Sequence, residues 1–263
     1  MSLPDTGRIT TERQGRILVM TFDRPAKYNG FTPEMGDQLV DAFTLLEHDP
    51  ELWIGVVRAE GKHFTAGLDL PRWAPRMASG EPMWPLDRID PFGLREPRRT
   101  KPLLMAVKGI TYTLGIELML AADVVVAADD CRFSQLEVKR GILATGGATI
   151  RMAERAGMGN ALLYLLTGDE FDAATALRLG FVQKVVPAGS EFDEAMAIAR
   201  RIEAVAPLAT REVIRSVRLA DEAGPDAAVA QFEARQKFLA GSDDFTEGVQ
   251  SFVERRPARF QGR

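Results

Sequence analysis

The chain has 263 residues, of which 46% are hydrophobic and 27% are charged, and its formal net charge is -4. These values are typical of a globular chain with one sizeable core, and they argue against a disordered or fibrous protein. The slight negative charge provides no broad basic surface, so we expect no nucleic-acid partner.

The cysteine content and the N-terminal segment both favour a reducing compartment. Cys131 is the only cysteine, which excludes an intrachain disulfide and a thiol-rich metal site. The first 22 residues lack the basic stretch, the apolar block and the small-residue cleavage site of a secretory signal. We therefore expect a cytoplasmic protein, and we interpret Cys131 as a small buried hydrophobe.

The first predicted elements are a β-hairpin and an amphipathic helix. The segments GRITTER (7–13) and GRILVMTFD (15–23) have strand patterns, and Arg-Gln-Gly between them indicates the turn. Thr32 and Pro33 then begin a segment that carries apolar side chains at helical spacing as far as His48.

Short apolar runs further along the chain predict a sheet that is buried on both faces. Because strand patterns alternate with helical patterns, the chain is predicted to be of the α/β class. The runs are LWIGVVRAE (52–60), LLMAVKG (103–109), DVVVAAD (123–129) and GFVQKVV (180–186).

The apolar run over residues 102–128 is long enough to suggest a membrane span. However, Lys108, Glu117 and Asp123 interrupt it, and each would cost about 3 kcal/mol at the centre of a bilayer. A series of buried strand, helix and strand explains the run better, so we expect no membrane partner.

Residues 71–101 break the regular pattern, because they contain six prolines and no sustained period. We interpret them as a mobile covering loop or as short irregular helices, since long unpatterned insertions in compact domains are usually lids or binding loops. A variable surface excursion is the alternative. From about residue 190 onward, four successive amphipathic stretches predict helices.

Common hydrolase and nucleotide-binding motifs are absent. The chain has two histidines, His48 and His63, and it contains neither H-E-x-x-H nor G-x-S-x-G. It also lacks a phosphate-binding loop, and the glycines of TGGAT (145–149) do not have the dinucleotide-binding spacing.

Two strand-to-helix turns are the strongest candidates for a site. In HFTAGLDL (63–70) and KGITYTLGIEL (108–118), small residues follow an apolar strand and precede a helical pattern. Such turns point free N–H groups at the helix N-terminus, where they stabilise negative charge. Two converging turns would form an oxyanion hole, in which each donor contributes roughly 3 to 4 kcal/mol. The alternative is that Gly67 and Gly115 only permit tight turns.

Four segments in a fixed order resemble the crotonase superfamily of enoyl-CoA hydratases and isomerases, and the resemblance extends to the closing FVERRPARFQG. It implies a crotonase-like spiral of ββα units over residues 1–190 and a C-terminal helical trimerisation region over 191–263. It further implies acyl-CoA thioester substrates and a homo-oligomer, either a trimer or a dimer of trimers. The four segments are RPAKYNGF (24–31), GKHFTAGLDL (61–70), KPLLMAVKGITYTLGIELMLAAD (101–123) and FSQLEVKRGILATGGAT (133–149).

The resemblance assigns the oxyanion-hole donors to the backbone N–H groups of Leu68 and Leu114, and the two hydratase carboxylates to Glu117 and Glu137. Glu117 follows Leu114 by one helical turn, so the turn that supplies a donor also aims a carboxylate at the same thioester. The separation of the two glutamates along the chain does not itself show that they meet. A solvated charge beside two basic neighbours is the alternative for Glu137.

A pair of carboxylates suits the hydration of a 2-enoyl thioester. An ionised glutamate activates water for attack at C3 and a protonated one delivers a proton to C2, each contributing roughly 10² to 10⁴ in rate. Because like charges raise each other's pKa, the pair would titrate as a unit. The reaction needs no metal or redox cofactor, since CoA is part of the substrate. Double-bond isomerisation, another crotonase-type reaction of an acyl-CoA, and a noncatalytic acyl-CoA-binding subunit are the alternatives.

The sequence departs from the family pattern at two places. Thr113, Leu114 and Gly115 stand where most relatives have three glycines, so the leucine side chain narrows the room near the thioester carbonyl. Ala144 and Thr145 replace the Pro-Gly of many hydratases. The second difference weakens the hydratase interpretation relative to an isomerase.

The resemblance also implies contacts with CoA and with the acyl chain. Lys27, Thr65 and Ala66 are assigned to CoA, and Phe252 and Arg255 are assigned to the CoA of a neighbouring subunit. Lys27 as a solvated charge and Phe252 as a packing residue are the alternatives. An apolar acyl pocket is predicted, although each of its residues singly fits core or loop packing equally well. The pocket residues are Trp73, Met77, Met83, Trp84, Leu86 and Phe92.

Overall fold

A computed structural model describes residues 5–263, and its strands form two sheets. The β1–β2 and β7–β8 pairs are antiparallel, and the other pairs are parallel. The larger sheet has the order β1 (Arg8–Gln14), β2 (Ile17–Asp23), β3 (Ile54–Ala59), β4 (Leu103–Val107), β6 (Val124–Ala128) and β9 (Lys184–Val186). The smaller sheet has the order β5 (Ile110–Tyr112), β7 (Arg132–Ser134) and β8 (Phe171–Asp172).

Helices follow successive strand pairs, so the chain winds as a spiral of ββα units and ends in a run of helices, as the sequence predicted. Two 3-10 turns, Pro25–Lys27 and Glu137–Arg140, supplement them. The α-helices are α1 (Pro33–His48), α2 (Leu70–Ser79), α3 (Leu114–Ala121), α4 (Ala148–Ala156), α5 (Met158–Thr167), α6 (Ala173–Arg178), α7 (Glu191–Glu203), α8 (Pro207–Ala223), α9 (Pro225–Val229), α10 (Phe232–Ala240) and α11 (Asp243–Glu254).

The inner strands of the larger sheet, β2, β3, β4 and β6, are buried on both faces, as their continuous apolar runs predict, whereas the edge strands β1 and β9 are largely exposed or half-buried. Successive side chains of a strand point to opposite faces. In β2, Leu18 and Met20 join the main core beside α1, whereas Ile17 and Val19 join a second cluster beneath α7. The sheet therefore holds α1 on one face and α7 on the other.

The predicted hairpin and first helix are confirmed. Gln14 pairs with Ile17 across a two-residue turn, and Gly15 in that turn has a φ of 67°. The N–H of Met35 donates a hydrogen bond of 3.2 Å to the Thr32 hydroxyl, which caps α1.

The segment 71–101 differs from the prediction at its start, because Leu70–Ser79 forms a regular helix. Asp69 precedes it, and its carbonyl accepts hydrogen bonds from the N–H groups of Arg72 and Trp73. Beyond Gly80 the segment is irregular, but Trp84 and Phe92 are buried in the main core. The segment is therefore part of the packed wall of the molecule and not a surface excursion.

The helices beyond residue 190 do not all have the same surroundings. Ala195, Met196 and Ala199 of α7 pack against the sheet, whereas α8 to α11 expose many apolar side chains. Four helical stretches were predicted there, and the structure has five helices, α7 to α11. The domain division at residue 190 stays a prediction, and residues 1–4 of its first part lie outside the described residues.

Within residues 5–263, no helix combines the length and the apolar character needed to cross a membrane. The apolar run over 102–128 forms β4, β5, α3 and β6, in agreement with its interpretation as buried strands and a helix.

Candidate active site

A cavity of about 420 Å³ lies beside the N-terminus of α3, between the Glu137–Arg140 turn and the irregular part of the 71–101 segment. Much of its wall is apolar, and its reactive groups are the two glutamates that the resemblance assigned. The residues predicted for the site that line it are Ala66, Leu68, Met77, Met83, Trp84, Phe92, Leu114, Glu117 and Glu137.

The two predicted donor turns lie side by side at this cavity. Thr65 and Thr111 form a parallel bridge, and the N–H of Tyr112 donates a 3.0 Å hydrogen bond to the carbonyl of Thr65. Two residues further along, a Cβ on Gly67 would collide with the hydroxyl of Thr113. Gly67 is therefore required for the close approach of the two turns as well as for its φ of 96°.

The N–H of Leu68 points away from its neighbouring strand. Phe31 donates a hydrogen bond to the carbonyl of Gly67 at 2.8 Å and accepts one from the N–H of Asp69 at 2.9 Å. Since adjacent peptide groups of an extended chain point in opposite directions, the Leu68 N–H faces the other side. It donates no hydrogen bond within the part of the chain that the structure describes.

The N–H of Leu114 is the first of α3 and has no partner inside the helix. The carbonyl of Thr113 accepts hydrogen bonds from the N–H groups of Ile116 and Glu117, at 2.8 and 3.1 Å. Thr113 itself has a φ of 49°, a conformation that costs a non-glycine residue about 1 to 3 kcal/mol. Its N–H donates to the carbonyl of Ser134 at 2.9 Å, which helps to hold this turn in place.

Glu117 is 6% exposed, and main-chain donors hold its carboxylate. The N–H groups of Gly146 and Ala148 donate to its Oε1 at 2.6 and 3.3 Å. Burial raises the pKa of Glu117, and these two N–H groups act in the opposite direction. A Cβ on Gly146 would lie 2.6 Å from Glu117 Oε2, so the close fit requires glycine there.

Glu137 is 8% exposed, so it is not the solvated surface charge of the alternative interpretation. Burial raises its pKa to about 7, and the charge of Glu117 adds to the rise. The structure therefore brings the two glutamates close enough for their charges to interact.

Gln135 is a site residue that the sequence reasoning missed. It is 1% exposed, and its amide nitrogen, turned toward Glu137, lies 2.9 Å from Oε2 and 3.1 Å from Oε1. The signal available in the sequence was its position two residues before Glu137 in SQLE. The role of the TGGAT segment was also missed. Its glycines form no nucleotide-binding motif, but the N–H of Gly146 donates a hydrogen bond to Glu117.

Two predicted residues have structural contacts instead of facing the cavity. Trp73 is fully buried, donates from Nε1 to the carbonyl of Phe31 at 2.8 Å, and packs edge-on against Trp84. It supports the acyl wall from behind instead of lining it. The Thr65 hydroxyl is also buried, where it donates to the carbonyl of Asn29 at 2.7 Å. Thr65 therefore fastens the donor turn and offers no free hydroxyl to CoA.

The remaining predicted contact residues lie outside the cavity lining. Leu86 is 58% exposed, so it does not belong to the apolar pocket. Lys27 lies exposed on the first 3-10 turn, Phe252 is 84% exposed on α11, and Arg255 follows that helix. The CoA contacts of these last three residues stay predictions.

Known proteins with similar sequences and folds span nearly the whole chain. The family described as enoyl-CoA hydratase/isomerase matches residues 12–263. The chain is 32% identical over 259 residues to enoyl-CoA hydratase EchA19 of Mycobacterium tuberculosis, with 96% of each chain covered. It is 29% identical over 261 residues to the 2,3-dehydroadipyl-CoA hydratase of Escherichia coli, covering 97% of this chain and 99% of that one.

The similarity extends to solved structures. The crystal structure of a probable enoyl-CoA hydratase/isomerase from Mycobacterium abscessus matches with a TM-score of 0.94 and 44% sequence identity. The match covers 97% of this chain and 98% of that one.

Proposed function

The chain belongs to the enoyl-CoA hydratase/isomerase family, and we propose that it is an enoyl-CoA hydratase, which adds water across the 2,3 double bond of an acyl-CoA thioester. The observation that carries this proposal is the meeting of two buried glutamates and two free N–H groups at one cavity. Hydration needs these elements: donors for the oxygen of an enolate, a base for water and an acid for carbon.

The thioester oxygen is proposed to accept hydrogen bonds from the N–H groups of Leu68 and Leu114. When water adds at C3, negative charge develops on this oxygen. Each preorganised donor is expected to contribute roughly 3 to 4 kcal/mol to the transition state. The N-terminus of α3 adds a favourable dipole at the same place.

Glu117 is proposed as the base. The N–H groups of Gly146 and Ala148 stabilise its ionised form. Glu117 takes a proton from water as the water oxygen bonds to C3, and the electrons of the double bond move to the thioester oxygen. The product of this step is an enolate held by the two main-chain donors.

Glu137 is proposed as the acid, because a pKa of about 7 leaves much of it protonated near neutral pH. It delivers its proton to C2 and the enolate returns to a thioester. Gln135 suits both states of Glu137, since its amide nitrogen donates to the carboxylate and its amide oxygen accepts from the protonated acid. A proton then passes through solvent from Glu117 to Glu137, which restores both groups to their starting states. No metal or redox cofactor takes part in the proposed steps.

An isomerase is the second candidate, and a feature of the cavity favours it. The side chains of Leu114 and Thr145, two positions that depart from the family pattern, line the cavity. Moving a double bond from C3–C4 to C2–C3 needs one glutamate to carry a proton from C2 to C4, and it needs no added water. Separate incubations with a 2-enoyl-CoA and a 3-enoyl-CoA distinguish the two activities, because only a conjugated thioester absorbs strongly in the near ultraviolet.

The proposal is tested by incubating the protein with 2-enoyl-CoA thioesters of graded length and measuring the product mass. A hydratase adds the mass of one water, and the double variant Glu117→Gln, Glu137→Gln does not. If the wild-type protein binds the thioesters without changing them, it is a noncatalytic acyl-CoA-binding subunit. If it converts 3-enoyl-CoA without adding water, it is an isomerase.

We also propose that the protein is cytoplasmic and assembles as a trimer or as a dimer of trimers. Exposed apolar side chains on α8 to α11 support the assembly, because large apolar areas on a surface commonly mark contacts between chains. Light scattering after size-exclusion chromatography measures the number of chains in the assembly. The side chains with the largest exposed fractions are Val213, Val217, Val229, Phe232, Phe238, Phe252 and Val253.

Membership of this family does not determine which acyl group the substrate carries. The relative from Escherichia coli is named for 2,3-dehydroadipyl-CoA, whose acyl chain ends in a carboxylate. Acyl chains with polar ends therefore occur among the substrates of the relatives.

A further inference from the structure

A basic side chain contributes to the largely apolar wall of the cavity. Trp84 and Phe92 form part of this wall, and their rings pack together with centroids 5.5 Å apart. Arg95 lies beside them and also lines the cavity. A guanidinium beside these aromatic rings indicates a function other than packing against an alkyl chain, because an alkyl chain forms no hydrogen bond or ion pair with it.

The hydrogen bonds of Arg95 leave part of its guanidinium unused. Its Nη2 donates to the carbonyls of Trp84 and Pro85, at 3.1 and 3.4 Å. Its Nη1 donates no hydrogen bond to any described residue, whereas its Nε is buried and out of reach of a molecule in the cavity. Across residues 5–263, no carboxylate oxygen lies within the 4.0 Å of an ion pair with Arg95.

The nearest candidate partner, Asp90, is occupied by the main chain. Its Oδ1 accepts from the N–H of Phe92 at 3.1 Å, and its Oδ2 accepts from the N–H groups of Leu94 and Arg95 at 2.9 and 3.2 Å. Asp90 therefore shapes the loop that presents Arg95, and it forms no ion pair with the Arg95 guanidinium.

Arg95 is also separate from the proposed chemistry. Neither Glu117 nor Glu137 forms an ion pair with it, and the basic group that influences the pKa of Glu117 is Arg151. Arg140 is the other basic residue of the cavity lining, but it is exposed and donates to the carbonyl of Lys139 at 3.2 Å. The two arginines thus differ in burial, and Arg95 is the one that has an unpaired buried donor.

The guanidinium geometry indicates the kind of group that Arg95 would bind. A partly desolvated guanidinium whose Nη1 is unused gains most from an anion, because hydrogen bonds between ionised groups are stronger than those between neutral groups. Its planar fork matches a carboxylate in a bidentate arrangement, and aromatic neighbours reduce the competition from water. The thioester end of the substrate is placed at Leu68 and Leu114, so the group that reaches Arg95 belongs to the acyl chain.

We propose that Arg95 binds a carboxylate at the far end of the acyl chain, so that the preferred substrate is the 2-enoyl-CoA thioester of a dicarboxylic acid. This inference rests on the proposed hydratase function and names its substrate class. A chain that ends in a methyl group leaves the Arg95 donors unpaired, and it is a poorer substrate for that reason.

The test compares pairs of 2-enoyl-CoA thioesters with equal numbers of carbons, one ending in a carboxylate and the other in a methyl group. Pairs with acyl groups of five, six and eight carbons are used, so that the comparison covers a range of acyl-chain lengths. We expect the wild-type kcat/KM to favour the carboxylate by at least about tenfold in the best pair. Arg95→Met removes this preference, mainly by lowering kcat/KM for the carboxylate-terminated member of each pair. Arg140→Met, the matched control, retains the preference.

A binding measurement separates this inference from the proposed reaction. Calorimetric titration compares saturated CoA thioesters of the same pairs, which the protein binds without turnover. If no enoyl thioester is hydrated, the hydratase proposal fails and the saturated pairs still test Arg95. Arg95→Lys, which keeps the charge and loses the fork, replaces Arg95→Met if that variant does not fold, and it is expected to lose at least half of the preference in free energy.

Three results would overturn the role of Arg95. The first is a wild-type protein that binds and turns over both members of every pair equally. The second is a preference that survives in the folded Arg95 variants. The third is a preference that Arg140→Met abolishes, which would move the carboxylate site to the exposed arginine.

Discussion

The segments around Glu117 and Glu137 place the same residue type in two different environments at one cavity. Both side chains are almost completely buried. Glu117 is held by the main-chain N–H groups of Gly146 and Ala148, whereas Glu137 faces the side-chain amide of Gln135. This difference in neighbours is the basis for proposing Glu117 as the base and Glu137 as the acid.

Charge and hydrogen bonding are the physical reasons for assigning different roles to the two glutamates. N–H donors favour the ionised form of a carboxyl group, and burial favours the neutral form. Burial acts on both glutamates, but the main-chain donors oppose it directly at Glu117. At Glu137 burial is the larger effect and raises the pKa to about 7; its own main-chain N–H acts in the opposite direction, and the charge of Glu117 adds to the rise.

Removing either carboxylate is the most severe way to test this comparison. Glu117→Gln and Glu137→Gln are each expected to lower kcat by roughly 10² to 10⁴, because each removes one proton transfer. Glu81→Gln, an exposed glutamate on the irregular segment, is the control and should keep the wild-type rate. A single Glu117 or Glu137 variant that retains kcat within about threefold would contradict the assigned role.

The pH dependence sharpens the comparison by separating the two groups. Glu137 must be protonated to act, so kcat should fall about tenfold per pH unit above a pKa near 7. Glu117 must be ionised, so activity should also fall as the pH drops below its raised pKa. The residual activity of Glu137→Gln should lose the decline at high pH and keep the decline at low pH. If Glu137→Gln instead lost the decline at low pH and kept the decline at high pH, Glu137 would be the base and Glu117 the acid.

Gly146→Ala changes the Glu117 environment without removing the carboxylate. Its Cβ would lie 2.6 Å from Glu117 Oε2, so the side chain must move away from its position beside the thioester. We expect kcat to fall about tenfold, since a small displacement of a reacting group is costly. Gly159→Ala in α5, where an added Cβ meets no atom within 4 Å, is the matched control. Equal activity of the two variants would show that the close fit at Gly146 is unimportant.

The last expected effect is on the stability of the fold and not on the reaction rate. The pKa of Glu137 is higher in the folded chain than its ordinary value of 4.5, so the folded state binds a proton more tightly than the unfolded state. Stability linked to this group is therefore lost as the pH rises from about 4.5 to 7, by about 3 kcal/mol.

Glu137→Gln avoids this loss, so it should unfold at a higher temperature than the wild type near pH 8. The advantage should shrink as the pH approaches 4.5. Thermal unfolding at both pH values measures the difference. A variant that is equally or less stable near pH 8 would show that burial imposes no such cost on Glu137.

Much of the fold was predictable because its signals are local. The apolar runs of β2, β3, β4 and β6 indicated buried strands, and Thr32 with Pro33 indicated the start of α1. The helix α2 was missed because Pro71 and Pro75 interrupt the pattern and Trp73 is its one fully buried large side chain. The smaller sheet was missed as well, since strands of two or three residues carry too little pattern.

The candidate site was predictable in its parts but not in its assembly. The small-residue turns indicated where an oxyanion hole could form, and the family motifs assigned its donors to Leu68 and Leu114 and the carboxylates to Glu117 and Glu137. The hydrogen bond from Gly146 to Glu117 joins residues that are 29 positions apart, and no periodic pattern reports such a contact. The burial of Gln135 likewise depends on tertiary packing, so the sequence alone gave it no role.

A crystal structure of the protein with a saturated acyl-CoA tests the central claim most directly, because it locates the thioester oxygen. We predict this oxygen at about 2.7 to 3.1 Å from the main-chain nitrogens of both Leu68 and Leu114. The C2 and C3 atoms should lie between Glu117 and Glu137. A thioester bound elsewhere, or one whose oxygen contacts neither nitrogen, would contradict the account.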